Sequence, residues 1–426
     1  MFWNPEAETL SRDRLASLQL ERLRQTLRRQ LAGVPVIRER LHAAGVRAAE
    51  DVSVLEDLRR LPFTCKADLR EQYPFGLFAV PRNQVVRVHA SSGTRGKPTV
   101  VGYTRNDLGV WSEVMARTLT MAGVSPGMVV HNAYGYGLFT GGLGFHMGAE
   151  LLGCMVIPIS GGLGQRQVLM LEDLGGQALC STPSYALNIA QTLVEQGVAL
   201  DRLRLEVGLF GAEPWTEQMR DAIEQQLGLS AINVYGLSEI VGPGVAGECL
   251  DVRNGSHVQE DHFLVEVIDP VTGRVLGPGE EGELVFTTLT KEALPMLRYR
   301  TGDVSSLDTD VCICGRTTVR IARVRGRIDD MLIIRGVNLY PSEVERILLR
   351  VPEVAPHYQL IVDRPGAMDE LTVLCEAAAP SDGLTGRIRH ALREATGLSM
   401  IVRVLSPGSV PRSEGKAVRV IDNRRR

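Results

Sequence analysis

The sequence predicts an α/β protein. Its larger part is a doubly wound, mostly parallel sheet, followed by a small β-barrel-like segment and a small α+β unit at the C-terminus. Three observations carry this reading. Between about residue 85 and residue 235, short apolar, β-branched runs alternate with helical stretches, the pattern of buried parallel strands joined by crossover helices. From 245 to 325 the runs are instead separated by tight Pro/Gly turns, as in antiparallel strands. Beyond Asp330 strands and helices alternate again. At 426 residues the chain is too long for one compact core, so at least two domains are expected.

In chain order, Leu10–Leu31 places Leu15, Leu18, Leu23 and Leu27 at helical spacing among arginines, which predicts an amphipathic helix. Val85–His89, Met128–Asn132, Met155–Pro158, Ala178–Ser181, Val207–Phe210 and Ala231–Tyr235 read as buried strands. Glycine-rich segments follow them, where doubly wound sheets collect ligands. Phe263–Ile268 and Gly282–Phe286 read as antiparallel strands, set apart by the turns Asp269-Pro270 and Gly277-Pro278-Gly279, and the 245–325 segment as a barrel or sandwich.

Bulk properties exclude several classes. A net charge of −3 and a pI near 6.3 give no electrostatic reason to bind nucleic acid, and the basic stretches Arg22–Arg29 and Arg424–Arg426 read as a solvated helix face and a terminus. Met1–Glu6 has neither the basic nor the apolar region of a signal peptide. No apolar run approaches the roughly 18 residues a membrane helix needs. Seven cysteines, odd in number and sparse, fit reduced thiols with or without a metal site better than a disulfide framework. The expectation is a cytoplasmic protein without a membrane or nucleic-acid partner.

The first chemical motif follows the strand Val86–Ala90. It reads Ser91-Ser92-Gly93-Thr94-Arg95-Gly96-Lys97-Pro98. Glycines let backbone amides approach an anion, hydroxyls donate hydrogen bonds, and Lys97 adds a positive charge, which together suit a polyphosphate. Two residues between the glycines, and a proline after the lysine, distinguish it from a Walker A loop. A polar hairpin loop is the other reading of these residues alone.

Further segments complete a pattern. They are Gly211-Ala212-Glu213-Pro214-Trp215, Tyr235-Gly236-Leu237-Ser238-Glu239, Tyr299-Arg300-Thr301-Gly302-Asp303, Gly326-Arg327-Ile328-Asp329-Asp330 with Arg335-Gly336-Val337-Asn338, and Gly415-Lys416. In order and spacing, with the phosphate loop, they resemble the adenylate-forming superfamily of acyl- and aryl-CoA ligases. Leu61–Lys66, Tyr73–Phe78 and Asn132–Gly137 resemble the phenylacetate–CoA ligases in particular. The resemblance runs over nearly the whole chain.

Such a ligase joins an anionic carboxylate to an anionic phosphorus, so its protein neutralises and aligns charge. The resemblance implies that ATP phosphates lie on Ser91, Ser92, Gly93, Thr94, Gly96 and Lys97. Gly211, Ala212, Glu213 and Pro214 flank the adenine, Tyr235 stacks on it or closes its pocket, and Gly236 belongs to the same nucleotide site. Ser238 sits near the α-phosphate, and Glu239 holds magnesium. Asp303, an acceptor only when ionised, and Arg327 reach the ribose. Lys416 is the catalytic cation of adenylation. Residues 1–328 form the adenylation domain and 329–426 a mobile lid turning about Asp329, which brings Arg335 and Gly336 to the coenzyme A channel. Taken one at a time, Tyr235 reads equally as core, Asp303 as a turn residue and Arg327 as a surface ion pair. Family precedent implies a homodimer.

Tyr134, Tyr136, Phe139, Gly142, Phe145, Gly211, Ile240 and Pro243 are expected to line the acid pocket, an apolar, aromatic lining that suits a benzene ring. Phe145 stands where phenylacetate ligases carry a small residue. If its ring fills the pocket floor, a benzoate-sized acid, with or without an amino or hydroxy group, is expected rather than phenylacetate; if it turns away, it merely repacks. Arg95 is another departure, reading as a phosphate contact or a solvated side chain. Cys249, His257, Cys312 and Cys314 form a soft ligand set for a structural zinc, with His262 a rival for the imidazole position and free buried cysteines the alternative. Transfer to a carrier-protein thiol or another nucleophile in place of coenzyme A, and a non-catalytic acyl- or nucleotide-binding protein, are the competing functions. The presence of Lys416, Glu239 and Asp303 argues against the last.

Overall fold

A computed structural model describes residues 1–91, 98–366, 368–413 and 415–425. The expected first helix spans Arg12–Gly33 and buries Leu15, Leu23 and Leu27. The same face carries Gln19, Thr26 and Gln30. They donate to the carbonyls of Glu260 at 2.8 Å, Leu289 at 3.0 Å and Pro295 at 2.9 Å, so their burial leaves those donors satisfied and ties the helix to the antiparallel region.

Among the described residues, nine strands join one sheet. Its parallel part runs Met155–Ile157, Val129–Asn132, Ala178–Ser181, Val207–Gly211, Ser230–Leu237, with helices in the crossovers. Gly242–Gly247 then turns back antiparallel on Ser230–Leu237, and Ser256–Val258, Arg320–Ile321 and Leu307–Asp308 extend the same sheet.

Two expectations are corrected here. The strand expected at Val85–His89 spans Arg87–Ser91 and lies outside the parallel sheet, pairing antiparallel with Thr99–Tyr103 from Arg87↔Tyr103 to Ser91↔Thr99. Val86 and Val88 are accordingly exposed, as on a ribbon covered on one side. The 245–325 segment forms no closed barrel among the described residues. Its strands divide: three extend the large sheet, while Phe263–Ile268, Gly282–Thr288 and Tyr299–Ser305 join Gly326–Arg327 in a separate four-stranded antiparallel sheet.

A further four-stranded sheet, in the order Ile401–Leu405, Glu370–Ala377, Val354–Asp363, Val420–Asp422, packs with helices Pro341–Leu348 and Asp382–Thr396 around its own core. Apolar residues at helical spacing, Leu384, Ile388 and Leu392, bury one face of the second helix. Ser381 caps its start and Gly397, at φ 72°, ends it. Among the described residues no helix is long and apolar enough to cross a membrane.

Candidate active site

The site forms at the carboxyl ends of Val207–Gly211 and Ser230–Leu237. At Gly211 a Cβ would come within 2.1 Å of the Val234 carbonyl, so only glycine allows the strand to end against its neighbour. The chain then turns through Ala212, at φ 70°, and presents Glu213.

The Glu213 carboxylate is fully engaged. Oε1 accepts from the Ser184 amide at 2.7 Å and Oε2 from the Ala417 amide at 2.8 Å. It thus ties the N-terminal end of helix Pro183–Glu195 to the residue after Lys416. The same helix and its cap hold the lysine loop elsewhere: Thr182 Oγ1 donates to Gly415 O at 2.9 Å, and Asn188 Nδ2, from mid-helix, to Ser413 O at 2.5 Å. Thr216 donates through its amide and hydroxyl to Glu345 of the C-terminal unit, at 3.1 and 2.8 Å. Sequence reasoning missed Thr182, Ser184, Asn188 and Glu345. Thr182-Pro183 was legible as a helix start after a strand, but its partner more than 200 residues away was not.

Tyr235 Oη donates to Asp303 Oδ2 at 2.6 Å, and its ring stacks on Phe286 at 5.9 Å. Arg327 Nε lies 3.7 Å from Asp303 Oδ1. Burial raises the Asp303 carboxyl above its ordinary range, with Arg327 the largest opposing influence. Ser238 Oγ is 3.0 Å from Thr140 Oγ1, and the buried Glu239 carboxylate takes no hydrogen bond from the described residues. Lys416 keeps solvent access, yet the cleft around it is crowded with protein. Desolvation first and Arg327 second lower its pKa, against Glu213, Glu239 and Asp303, which raise it. One cleft therefore brings together Lys416, Glu213, Glu239, Asp303, Arg327 and Tyr235.

Ser92, Gly93, Thr94, Arg95, Gly96 and Lys97 lie outside the described residues; the segment joins the paired ends Ser91 and Thr99. Arg335 and Gly336, at φ 50° and 82°, make the two-residue turn of the hairpin Leu332–Ile334 to Val337–Leu339. They face a shallow cavity shared with Arg364, Asp369 and Arg424 and are not brought to Lys416. Asp329 lies in the short turn Ile328–Asp330 between the two cores.

Of the expected acid pocket, Tyr134 and Phe145 are both buried and stack at 4.9 Å with an 8° interplanar angle. A Cβ on Gly142 would lie 2.7 Å from Gly135 O, so this helix start packs directly on the Tyr134–Gly135 backbone. Tyr136 Oη accepts from Asn132 at 2.8 Å and pairs with His146 Nδ1 at 3.1 Å; His146 in turn meets Glu150 at 3.0 Å. Ile240 is buried, Pro243 abuts Gly144, and Phe139 is exposed. The Phe145 side chain is 1% exposed, and its ring lies stacked on Tyr134, itself one of the residues expected to line the pocket.

Away from this cleft, ligand atoms of Cys249, His257, Cys312 and Cys314 lie within 4.8 Å of one another. Cys249 Sγ is 3.8 Å from Cys312 Sγ, far beyond a disulfide, and Cys314 Sγ is 3.5 Å from His257 Nε2. A tetrahedron with Zn–S of about 2.3 Å and Zn–N of about 2.0–2.1 Å has S···S edges of about 3.8 Å and S···N edges of about 3.5 Å. The donor set therefore fits zinc in type and spacing. His257 Nδ1 pairs with Thr318 Oγ1 at 3.1 Å, which leaves Nε2 for a metal. Hydrogen bonds from Cys249, His257 and Arg316 favour the Cys314 thiolate. His262 is excluded from the set: its ring lies 2.8 Å from Thr290 Oγ1 and 3.2 Å from Asp261.

Comparison with known proteins agrees with this arrangement. Residues 18–289 match the family described as AMP-binding enzyme, and residues 336–424 the AMP-binding enzyme C-terminal domain. A phenylacetate–coenzyme A ligase of Thermus thermophilus is 52% identical over 100% of both chains. That of Escherichia coli is 50% identical over 98% of this chain and 97% of its own. A crystal structure of 2-hydroxyisobutyryl-CoA ligase in the postadenylation state, with 2-HIB-AMP, superposes with a TM-score of 0.94 at 30% identity, over 100% of this chain and 93% of that one. In its thioesterification state the same ligase gives 0.75, over 99% and 92%. The fold of this chain thus superposes more fully on that ligase in its postadenylation state than in its thioesterification state.

Proposed function

Because this chain belongs to the AMP-binding enzyme family and is an ATP-dependent acid–thiol ligase working through an acyl-adenylate, we propose that its acid is a small arylacetic acid of the phenylacetate type. The observation that carries the reaction is the convergence of Lys416, Glu239, Asp303, Arg327 and Tyr235 in one cleft, with Glu213 pinning the residue after Lys416. A carboxylate oxygen attacks the α-phosphorus of ATP, and the bond to pyrophosphate breaks. Lys416 stabilises charge developing between the two anions, which is worth most in a crowded, partly desolvated site. Asp303, oriented by Tyr235 and Arg327, accepts from ribose hydroxyls. Glu239 would hold magnesium, which neutralises phosphate charge when bound. Coenzyme A's thiolate then attacks the acyl carbon and AMP leaves. That step requires the C-terminal unit to release Glu213–Ala417 and Thr216–Glu345 and to turn about Asp329, carrying Gly336 inward. Cys249, His257, Cys312 and Cys314 would hold a zinc with no open coordination position, hence structural.

The acid assignment departs from the benzoate-sized acid that Phe145 suggested. Phenylacetate ligases near 50% identity along the whole chain support it. Wild-type enzyme is expected to favour phenylacetate over benzoate in kcat/KM by about 10- to 200-fold, the range of one methylene in an apolar pocket. Phe145→Leu should lower the melting temperature while leaving that ratio nearly unchanged. A wild type that prefers benzoate, with Phe145→Leu shifting it toward phenylacetate, would return the ring to the pocket floor.

A further inference from the structure

Three buried donors converge on the backbone just after Glu239. Lys291 Nζ donates to Ile240 O at 2.8 Å, Tyr103 Oη to Val241 O at 2.9 Å, and Trp111 Nε1 to Pro243 O at 3.0 Å. They come from three separate places: the segment after Gly282–Thr288, strand Thr99–Tyr103 and helix Arg105–Met121. The stretch they hold runs from the turn at 238–241 into the strand Gly242–Gly247, whose pairing shifts register between Tyr235 and Gly236; Gly242 and Gly244 lie at φ 114° and 96°, and a Cβ on Gly242 would meet the Trp111 ring at 2.5 Å. A segment with that much conformational freedom keeps one shape only if its surroundings impose it.

The donors also form a single block. Tyr103 and Trp111 stack at 5.0 Å, Lys291 Nζ lies 4.4 Å from the Tyr103 ring centre, and His89 packs edge-on to both rings at 5.5 and 5.6 Å. His89 sits two residues before the end of the strand that leads into the glycine-rich loop, and its Nδ1 meets Leu138 O of the Tyr134–Thr140 segment at 3.1 Å. The block therefore touches the roots of the phosphate loop, the acid pocket and the Glu239 turn together. A lysine is a costly choice for such a place. Burial pushes its pKa down to about 8, against Asp107 and Glu239, and an apolar side chain would fill the space without that penalty.

We propose that Lys291, with Tyr103 and Trp111, is a positioning residue for adenylation: by clamping the carbonyls of Ile240, Val241 and Pro243 it sets the Glu239 carboxylate and the adjoining acid-pocket wall as one rigid unit. The inference rests on the reading that Glu239 holds magnesium. The test uses the full-length chain with Lys291→Met, Tyr103→Phe and Glu239→Gln. Each is followed by ATP–pyrophosphate exchange across a magnesium titration, by thioester formation from preformed acyl-adenylate, and by melting. Lys291→Met is expected to slow exchange by about 10- to 100-fold, the scale of a displacement of an ångström or less at a reacting centre. It should raise half-saturating magnesium and leave the coenzyme A step unchanged. Tyr103→Phe, which keeps the ring and removes one donor, should move both readouts less and in the same direction. Should Lys291→Met fail to fold, Tyr103→Phe decides alone. Wild-type exchange and magnesium response in the folded variants, or equal losses in both half-reactions, overturn the proposal. A magnesium response altered by Glu239→Gln but by neither clamp variant overturns this inference alone. One unaltered by Glu239→Gln overturns the magnesium reading beneath it.

Discussion

Lys416→Ala is expected to depress acyl-adenylate formation by about 10²–10³-fold, the effect of removing one preorganised charge donor. Attack of coenzyme A on preformed acyl-adenylate should be spared, because that step follows withdrawal of the lysine. Separate measurement of the two half-reactions decides, and equal losses would sink the role. The pH dependence adds a second check. Adenylation needs the ammonium form, and the cleft lowers the Lys416 pKa below its ordinary value, chiefly by desolvation and then by Arg327. Activity should therefore be full below that pKa and lost as pH rises through it. The kcat/KM profile of the free enzyme should show an alkaline limb earlier than an ordinary lysine would give, and the limb should be absent from the residual activity of Lys416→Ala.

Removal of zinc is expected to have the second large effect, on stability rather than on chemistry. Metal analysis of purified protein should find about one zinc per chain, given the one four-ligand cluster among the described residues. Losing even about 5 kcal/mol of binding energy linked to folding should lower the melting midpoint by roughly 10–20 °C, at about 2–4 °C per kcal/mol for larger domains. Cys312→Ser and chelation should act alike, and His257→Ala should lose the metal while His262→Ala retains it. Metal-free protein melting at the wild-type temperature would refute the site.

Which residues carry charge and which segments are glycine-rich are local properties, and the sequence by itself determined them. Alternating apolar runs located the strands from Val129–Asn132 to Ser230–Leu237 to within two residues at either end, because burial on both faces leaves a continuous apolar signature. The Cys-x-Cys pair and its glycine turn were legible for a similar reason: two members of the Cys/His cluster lie in one short segment. What only the tertiary structure decided depends on pairings across long stretches of chain. Period-two patterning is the same whether a strand joins a barrel or extends a neighbouring sheet, so the division of 245–325 between two sheets was invisible. A side chain's direction is likewise unwritten. Phe145 turned to stack on Tyr134, and His262 to face Asp261, because packing and charge partners brought from distant segments select the rotamer. The same holds for Glu213 with Ala417 and Lys291 with Ile240, each a hydrogen bond between residues that are neighbours only after folding.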